Sequence, residues 1–385
     1  MQNTQVNFMN ICQIHHDSGI EIGGVSLINV PKDHHYGWVC TKGSFTSDEV
    51  HFYRIIDDIT KLLFKNTIIN LEHVSNFFAA MHKDTSADVY FGDLPMEIEI
   101  RSKKPIEKGE IIFDKDIADI RRLRFPTIKL IETDKILVCM KVKWKFGLYF
   151  DFIHESKLDI EELSYSLGTL YRRLRYDYIY KIIENHGLFD MLKKRGWFPF
   201  IELIGNELKV LSERLEDNFN IAETLNDLVK SFNRDRIEKM SQKWWEKEVF
   251  LSKKPIIQAG LDSFFEDNEK GYINCIKNLI TEIEGVIRMF CSKKGEKSTD
   301  IIKLLEFIIN ESNYSLNFNS SLLLPNPFLE YLKNVIFRGF NVEKSDIPLS
   351  RPSTAHGVAK PEDYTRERAL QTILCLDQIY YYLKN

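Results

Sequence analysis

Paired cysteines are missing from this chain. Its six, Cys12, Cys40, Cys139, Cys275, Cys291 and Cys375, are scattered through 385 residues with no Cys-x-x-Cys step. A zinc ribbon needs close pairs and a disulfide framework needs a small cysteine-dense chain, so reduced core thiols in a cytoplasmic protein are expected. Glycine and proline are scarce, at 18 and 11 residues, against a usual combined share of roughly 12 %. Little material is left for disordered linkers. Neither sign of charge dominates: 52 Lys and Arg against 56 Asp and Glu give a net −4. That excludes a uniformly basic nucleic-acid coat and confines any such contact to a local patch. No run approaches ~18 consecutive apolar residues, so no membrane span is expected. Met1-Gln2-Asn3-Thr4-Gln5 opens without a basic region or a following apolar stretch, so no secretory signal is expected either. Gly-x-x-x-x-Gly-Lys-Ser/Thr and Gly-x-Gly-x-x-Gly are also absent, which leaves P-loop and Rossmann sites unsupported.

What the chain does have is 44 % hydrophobic and 12 % aromatic residues, enough for a substantial core. The first part reads as strands. Apolar runs at 23–30 and 36–40 are bounded by Gly, Pro and Asp, and residues 96–100, 136–142 and 143–146 alternate at period two. Two segments interrupt with helical spacing, residues 50–64 and, more briefly, 70–81. Near residue 155 the period changes. Leu163, Leu167, Leu170, Leu174 and Tyr178 recur at three- and four-residue steps, and helical patterns continue over 178–194, 200–215, 221–232, 234–250, 256–265, 272–291 and 299–309. A last one spans 364–383, with Ala369, Ile373, Leu376, Tyr380 and Leu383 in one stripe and Thr365 or Asp363 as its cap. The expected organisation is a strand-rich α+β domain at 1–155, a helical connecting region at 156–233 and a helical domain at 234–385.

Histidine is unevenly spread. Nine of the ten lie at or before His186, and His356 stands alone in the remainder, within Leu349-Ser350-Arg351-Pro352-Ser353-Thr354-Ala355-His356-Gly357. An Arg five residues ahead of a His supplies a fixed cation and a side chain able to exchange protons near neutrality. RNA cleavage needs little more. The substrate's 2′-OH is the nucleophile, a His moves protons and an Arg stabilises charge on the phosphoryl oxygens, with no metal or cofactor required. The bare spacing arises easily by chance in a chain with ten His. Its setting, between the turn signal Ile347-Pro348 and Gly357 and ahead of a long closing helix, gives it weight.

On these residues the C-terminal part, about 234–385, resembles the HEPN superfamily of helical domains, whose signature is Arg, four to six residues, then His. Thr281-Glu282-Ile283-Glu284-Gly285-Val286-Ile287-Arg288 is similar to the earlier helix that packs on the motif helix in such proteins, with Glu284 as a supporting residue. The resemblance implies a HEPN-like bundle, a metal-independent endoribonuclease and a role in bacterial defence or a toxin system. Many active members carry Asn, Asp or His directly after the Arg, where this chain has Pro352. Proline suits the first helical turn after a Ser350 cap, and Ser353 or Thr354 are the polar groups that could stand in. The resemblance also implies a homodimer. Acid–base cleavage uses one group taking a proton and another giving one, and a two-fold axis would bring His356 and Arg351 of both copies to one cleft. Tyr380, Tyr381 and Tyr382 could line that cleft or be ordinary core residues.

Basic–aromatic clusters are the candidate RNA surfaces: Arg172, Arg173 and Arg175 among Tyr171, Tyr176 and Tyr178, then Lys194 and Arg195 before Trp197, and Lys243-Trp244-Trp245-Glu246-Lys247. Such clusters more often mark a solvated helix face with its ring in the core. His15-His16-Asp17, Asp33-His34-His35 and the set Asp93, Glu97, Glu99, Arg101 and Lys103 are weaker candidates for metal chemistry, and no metal is expected. The N-terminal domain would recognise substrate, a protein partner or a small-molecule trigger. A non-catalytic HEPN-like scaffold for dimerisation or for nucleotide or RNA binding is the alternative.

Overall fold

The computed structural model describes residues 10–15, 25–27, 37–39, 41–64, 75–84, 86–153, 157–313, 321–343 and 347–383. The chain forms two compact units, one of Met1–Glu99 with Ile120–Asp177 and one of Ile100–Asp119 with Tyr178–Asn385.

In the first unit the chain runs through β1 (Asn10–His15), β2 (Val25–Leu27), β3 (Gly37–Val39), β4 (Lys42–Thr46), α1 (Val50–Phe64), β5 (Phe77–Met81) and β6 (Ser86–Phe91). Then come β7 (Glu97–Ser102) and β8 (Ile117–Arg124), each of which includes residues of the second unit, followed by β9 (Lys135–Val142), β10 (Lys145–Asp151) and α2 (Ile160–Arg175). Six strands make one antiparallel sheet in the order β1-β6-β5-β9-β10-β4, β2 pairs with β3, and β7 pairs with β8. Alternation along each strand sends Phe77, Ala79, Val89, Leu137, Leu148 and Phe150 to one face, where Phe52 of α1 joins them in a buried cluster. The opposite face takes α2. Gly147 of β10 lies so close to it that an added Cβ would sit 2.7 Å from Leu174 Cδ1, and so the strand carries glycine there. Asp159 caps α2 by accepting from the amides of Glu161 and Glu162.

Residues 77–81 correct the expected helix over 70–81. They are a central strand, with Phe77, Phe78, Ala79 and Ala80 all buried, and 70–74 lie outside the described residues. A short continuous apolar run suits a two-sided buried strand as well as a helix turn, and pattern alone does not separate them. The change of period after Asp151 is real, yet α2 belongs to the sheet unit rather than to a separate connecting region.

The second unit is helical. It contains α3 (Asp177–Glu184), α4 (His186–Lys194), α5 (Asn206–Glu216), α6 (Ile221–Ser231), α7 (Arg234–Gln242), α8 (Glu248–Leu251), α9 (Lys254–Phe264) and α10 (Glu269–Lys293). It ends with α11 (Ile301–Asn313), α12 (Pro325–Tyr331, prolonged by a π turn over Leu332–Ile336), α13 (Arg351–Ala355) and α14 (Arg366–Tyr382). No strand occurs among the described residues after 160. Thr365 caps α14, accepting from Arg368 N. The expected single stripe on α14 is instead burial on every side, since Leu370, Gln371, Thr372, Leu374, Cys375, Asp377 and Gln378 are buried too. Its two buried glutamines are answered: Gln378 accepts from Ile201 N at 2.9 Å and donates to Leu323 O at 3.0 Å, and Gln371 donates to Arg195 O at 3.0 Å. Tyr382 and Tyr381 are core residues, 0 % and 3 % exposed, so they do not line a cleft. Among the described residues no helix is long and apolar enough to cross a membrane.

Candidate functional site

The Arg–His motif is a one-turn helix fastened at both ends. Ser350 is the N-cap; its Oγ accepts from Ser353 N, while Ser350 N donates to Ser353 Oγ at 2.9 Å, a reciprocal capping box. Pro352 falls in the first turn, where its missing N–H would have no helical partner anyway. The other end is a Schellman closure. His356 is the C-cap, Gly357 follows at φ +70°, Val358 N donates to Ser353 O at 3.0 Å and Gly357 N to Thr354 O at 3.2 Å. Gly357 is needed because the closure demands a left-handed residue. The sequence Ser-Arg-Pro-Ser-Thr-Ala-His-Gly thus encodes its own start and stop.

This helix packs on α10, and there Arg351 meets Glu284. Arg351 Nε lies 2.6 Å from Glu284 Oε2, an ion contact whose angle falls outside a hydrogen bond. The other carboxylate oxygen, Oε1, accepts from Arg288 Nε at 2.6 Å, and Arg288 Nη2 donates to Thr299 O at 3.0 Å. Glu284 is 9 % exposed. One nearly buried carboxylate between two guanidiniums fixes both and leaves one net positive charge. His356 is exposed, its ring 5.6 Å from that of Phe340. The arrangement presents an anchored cation and an accessible imidazole from one short helix, which suits an anion with a proton to exchange.

Not every expected site residue is placed for chemistry. Ser353 is fully buried, accepting from Ser350 N and donating to Pro348 O at 2.7 Å, so it is a capping residue and does not replace the polar group that Pro352 removes. Thr354 is buried, and its Oγ1 meets no hydrogen-bond partner among the described residues. Arg172 is withdrawn from the RNA-contact set: it is buried and donates through Nη1 to Ile120 O and through Nη2 to Thr169 Oγ1 at 3.3 Å. Tyr171, Tyr176 and Tyr178 are buried as well, which removes the stacking surface expected around it. Arg173 and Arg175 remain half-buried on α2, and Arg175 donates to Tyr171 OH at 2.8 Å. Lys194 and Arg195 are exposed at the end of α4, but Trp197 beside them is fully buried and donates to Glu367.

The Lys243–Lys247 segment holds what sequence reasoning missed. Lys243 is buried, with Nζ 2.9 Å from Asp377 Oδ1, 3.0 Å from Glu202 Oε1 and 2.8 Å from Tyr381 OH. Trp244 Nε1 donates to Asp377 Oδ1 at 2.7 Å. Buried Lys103 donates to Ile204 O at 3.3 Å. Burial pushes Lys103 down to about 8 and Asp377 up to about 6. Burial also pushes Lys243 down, but Asp377 and Glu202 outweigh it and hold the ammonium well above its ordinary value. No window of sequence reveals that these lysines face inward. Arg288 was legible, as the i+4 partner of Glu284.

Metal chemistry gains nothing here. Of the two His doublets, His16, Asp17, Asp33, His34 and His35 lie outside the described residues. Glu99 pairs with Arg121 and Arg122. Among the described residues no three or more His, Cys, Asp and Glu side chains cluster as a ligand set. The described thiols Cys139, Cys275, Cys291 and Cys375 are buried and free, and burial raises Cys139 to about 12 and Cys291 to about 11, far from a reactive thiolate. Comparisons with protein-family models, curated proteins and solved structures found no match to this chain.

Proposed function

We propose that the helical unit is a HEPN-type, metal-independent endoribonuclease that works as a homodimer in the cytoplasm, in bacterial defence or a toxin system. The observation that carries the reading is Arg351 seated on buried Glu284 with exposed His356 closing the same helix. In this reaction the 2′-oxygen attacks phosphorus and gives its proton to one imidazole. The P–O5′ bond breaks, and the 5′-oxygen takes a proton from the imidazolium of the second copy. Arg351 holds the phosphoryl oxygens through its Nη groups, for which no hydrogen-bond partner occurs among the described residues. The products are a 2′,3′-cyclic phosphate and a 5′-hydroxyl. Unit 1 supplies substrate or trigger recognition.

The test is total or transfer RNA incubated with wild type, His356→Ala and Arg351→Lys, with and without EDTA. Cleavage is expected from wild type alone, unaffected by EDTA and sparing DNA. Equal cleavage by wild type and His356→Ala would overturn the mechanism. Pro352 in place of a polar residue favours the second reading, a non-catalytic HEPN-like scaffold. Absence of cleavage across varied RNAs and candidate activators would select it.

A further inference from the structure

The tip of the β9–β10 hairpin breaks two ordinary rules. Lys145 pairs with Val142 in the ladder, so Lys143-Trp144 is a two-residue loop. Such loops normally use Gly, Asn or Asp, whose backbones reach positive φ at low cost. Here Lys143 takes φ +58°, and Trp144 follows with 89 % of its surface exposed. A tryptophan that bare gains nothing for the core and favours aggregation. Neither residue is there to make the turn.

The surroundings are basic. Lys141 is exposed, its Nζ 5.6 Å from the Trp144 ring and 5.5 Å from Phe146. Lys143 Nζ lies 3.5 Å from Arg175 O, which brings the end of α2 beside the tip. Lys145 is neutralised by Asp48 and Asp177 and is not counted. Beside the tip a pocket of about 300 Å³ is walled by Leu94, Met96, Phe125 and Met140, with Asp93 and Lys141 among its polar groups. Its apolar walls and few polar groups suit a flat heteroaromatic ring.

We propose that this hairpin tip binds single-stranded nucleic acid, with an unstacked base on Trp144, the neighbouring phosphates on Lys141 and Lys143, and the adjacent base at the pocket that Lys141 lines. A polyanion with free aromatic faces is the ligand that uses an exposed ring and two exposed cations together. A duplex offers the same charge but keeps its bases stacked. Binding at the tip is independent of the ribonuclease reading. It is to be measured on full-length His356→Ala protein, so that loss of cleavage and loss of binding are separate results.

The assay is fluorescence anisotropy with a labelled 12-nucleotide oligouridylate, the matching oligothymidylate and an RNA duplex of equal length, at two salt concentrations. Trp144→Ala should weaken both single strands by about 5- to 150-fold, with Trp144→Phe retaining most of the affinity. Replacing Lys141 and Lys143 by Gln should reduce the slope of log K against log salt by about 0.7 for each phosphate no longer neutralised. Lys143→Gly relieves the backbone, so it should fold at least as well yet bind less tightly. The two single strands should agree within a few-fold, because base stacking and phosphate pairing ignore the 2′-OH. Unchanged binding by Trp144→Ala, a duplex bound as tightly as single strands, or no binding of either strand by the parent would each overturn the proposal.

Discussion

Removing Asp377 from beneath Lys243 should be among the most damaging single changes in the helical unit. Asp377→Ala takes away one of the two carboxylates on a lysine that is 7 % exposed, and it deprives the fully buried Trp244 Nε1 of its acceptor. Breaking a buried ion pair from one side costs about 3–5 kcal/mol. A buried unpaired N–H costs about 1–3 kcal/mol. Both losses flow from one carboxylate and do not add fully, so about 4–6 kcal/mol is expected. That is a large share of the ~5–15 kcal/mol by which domains are stable. Removing both charges should cost less than the two single losses summed. Burial already holds Asp377 up at about 6, so desolvation outweighs the attraction of Lys243 for the ionised carboxyl. Glu202 Oε1 still loses the ammonium 3.0 Å away, and Trp244 Nε1 still loses its acceptor. The double variant Lys243→Met/Asp377→Leu should therefore remain destabilised, but by less than Lys243→Met and Asp377→Ala summed. Urea unfolding at pH 7.5, followed by tryptophan fluorescence with the slope checked for constancy, measures all three. A single variant losing less than 1 kcal/mol, or a double variant as unstable as the two singles summed, would refute the reasoning.

Four further outcomes are expected. Glu284→Gln should lower RNA cleavage by at least tenfold with folding intact, since the carboxylate seats Arg351 and Arg288; unchanged turnover would show the seat to be irrelevant. Gly357→Ala meets no neighbour within 4 Å, so its cost is backbone strain at φ +70° alone, about 1–2 kcal/mol, while displacement of His356 should reduce activity more than stability. Burial lowers the His82 pKa, but hydrogen bonds and charges from Asp134, at 2.8 Å, and Asp88 outweigh it and raise the value; the stabilisation is complete below about 6.5 and fades as pH rises through the folded value, so the wild type's advantage over His82→Ala should shrink on going alkaline, and an NMR titration below 6.5 would contradict this. Mixing equal amounts of wild-type and His356→Ala protein under subunit exchange should cut cleavage to about half that of the same wild-type protein alone, because only about a quarter of the dimers then carry both imidazoles; undiminished cleavage would contradict a shared cleft.

Local chemistry was the legible part of the fold. Helix α1 runs over 50–64 as its spacing implies, and Ser350, Pro352, Gly357 and Thr365 occupy the capping positions that their side chains and backbones favour. What failed was burial, which no single window contains. Phe77–Met81 reads as a helix turn until β6 and β9 flank it. Arg172 reads as a surface cation until its guanidinium is found on Ile120 O, and Lys243 reads as solvated until Glu202, from 41 residues earlier, is placed on it. The reverse error occurred at Trp144. Its alternation with Lys143 and Lys145 marked a strand, and only the observed register turned it into an exposed tip.

The geometry of α13 bears on why one copy of the motif is insufficient for the proposed reaction. Arg351 is the first helical residue and His356 the C-cap, five steps on. At about 100° and 1.5 Å per residue, the two Cα atoms are ~7.5 Å apart along the axis and ~140° apart around it. The side chains therefore leave the helix on different faces. Glu284 holds Arg351 toward α10, whereas His356 is open to solvent beside Phe340. An in-line phosphoryl transfer needs proton-transfer groups on both sides of phosphorus, an acceptor for the attacking oxygen and a donor for the leaving one. A single short helix with its Arg tethered cannot surround a phosphate in that way. In the proposed homodimer, two copies facing across a dyad would bring two imidazoles and two guanidiniums to one phosphate. The tether on Arg351 would then be an asset, because it would fix the guanidinium against which the second copy's histidine works in the proposed reaction. Separation within one helix and complementarity between two are the same geometric fact, and that is why the mixed-subunit experiment discriminates: a mixed dimer keeps one imidazole only, so exchange must lower cleavage if the site crosses the dyad and leave it unchanged if each copy works alone.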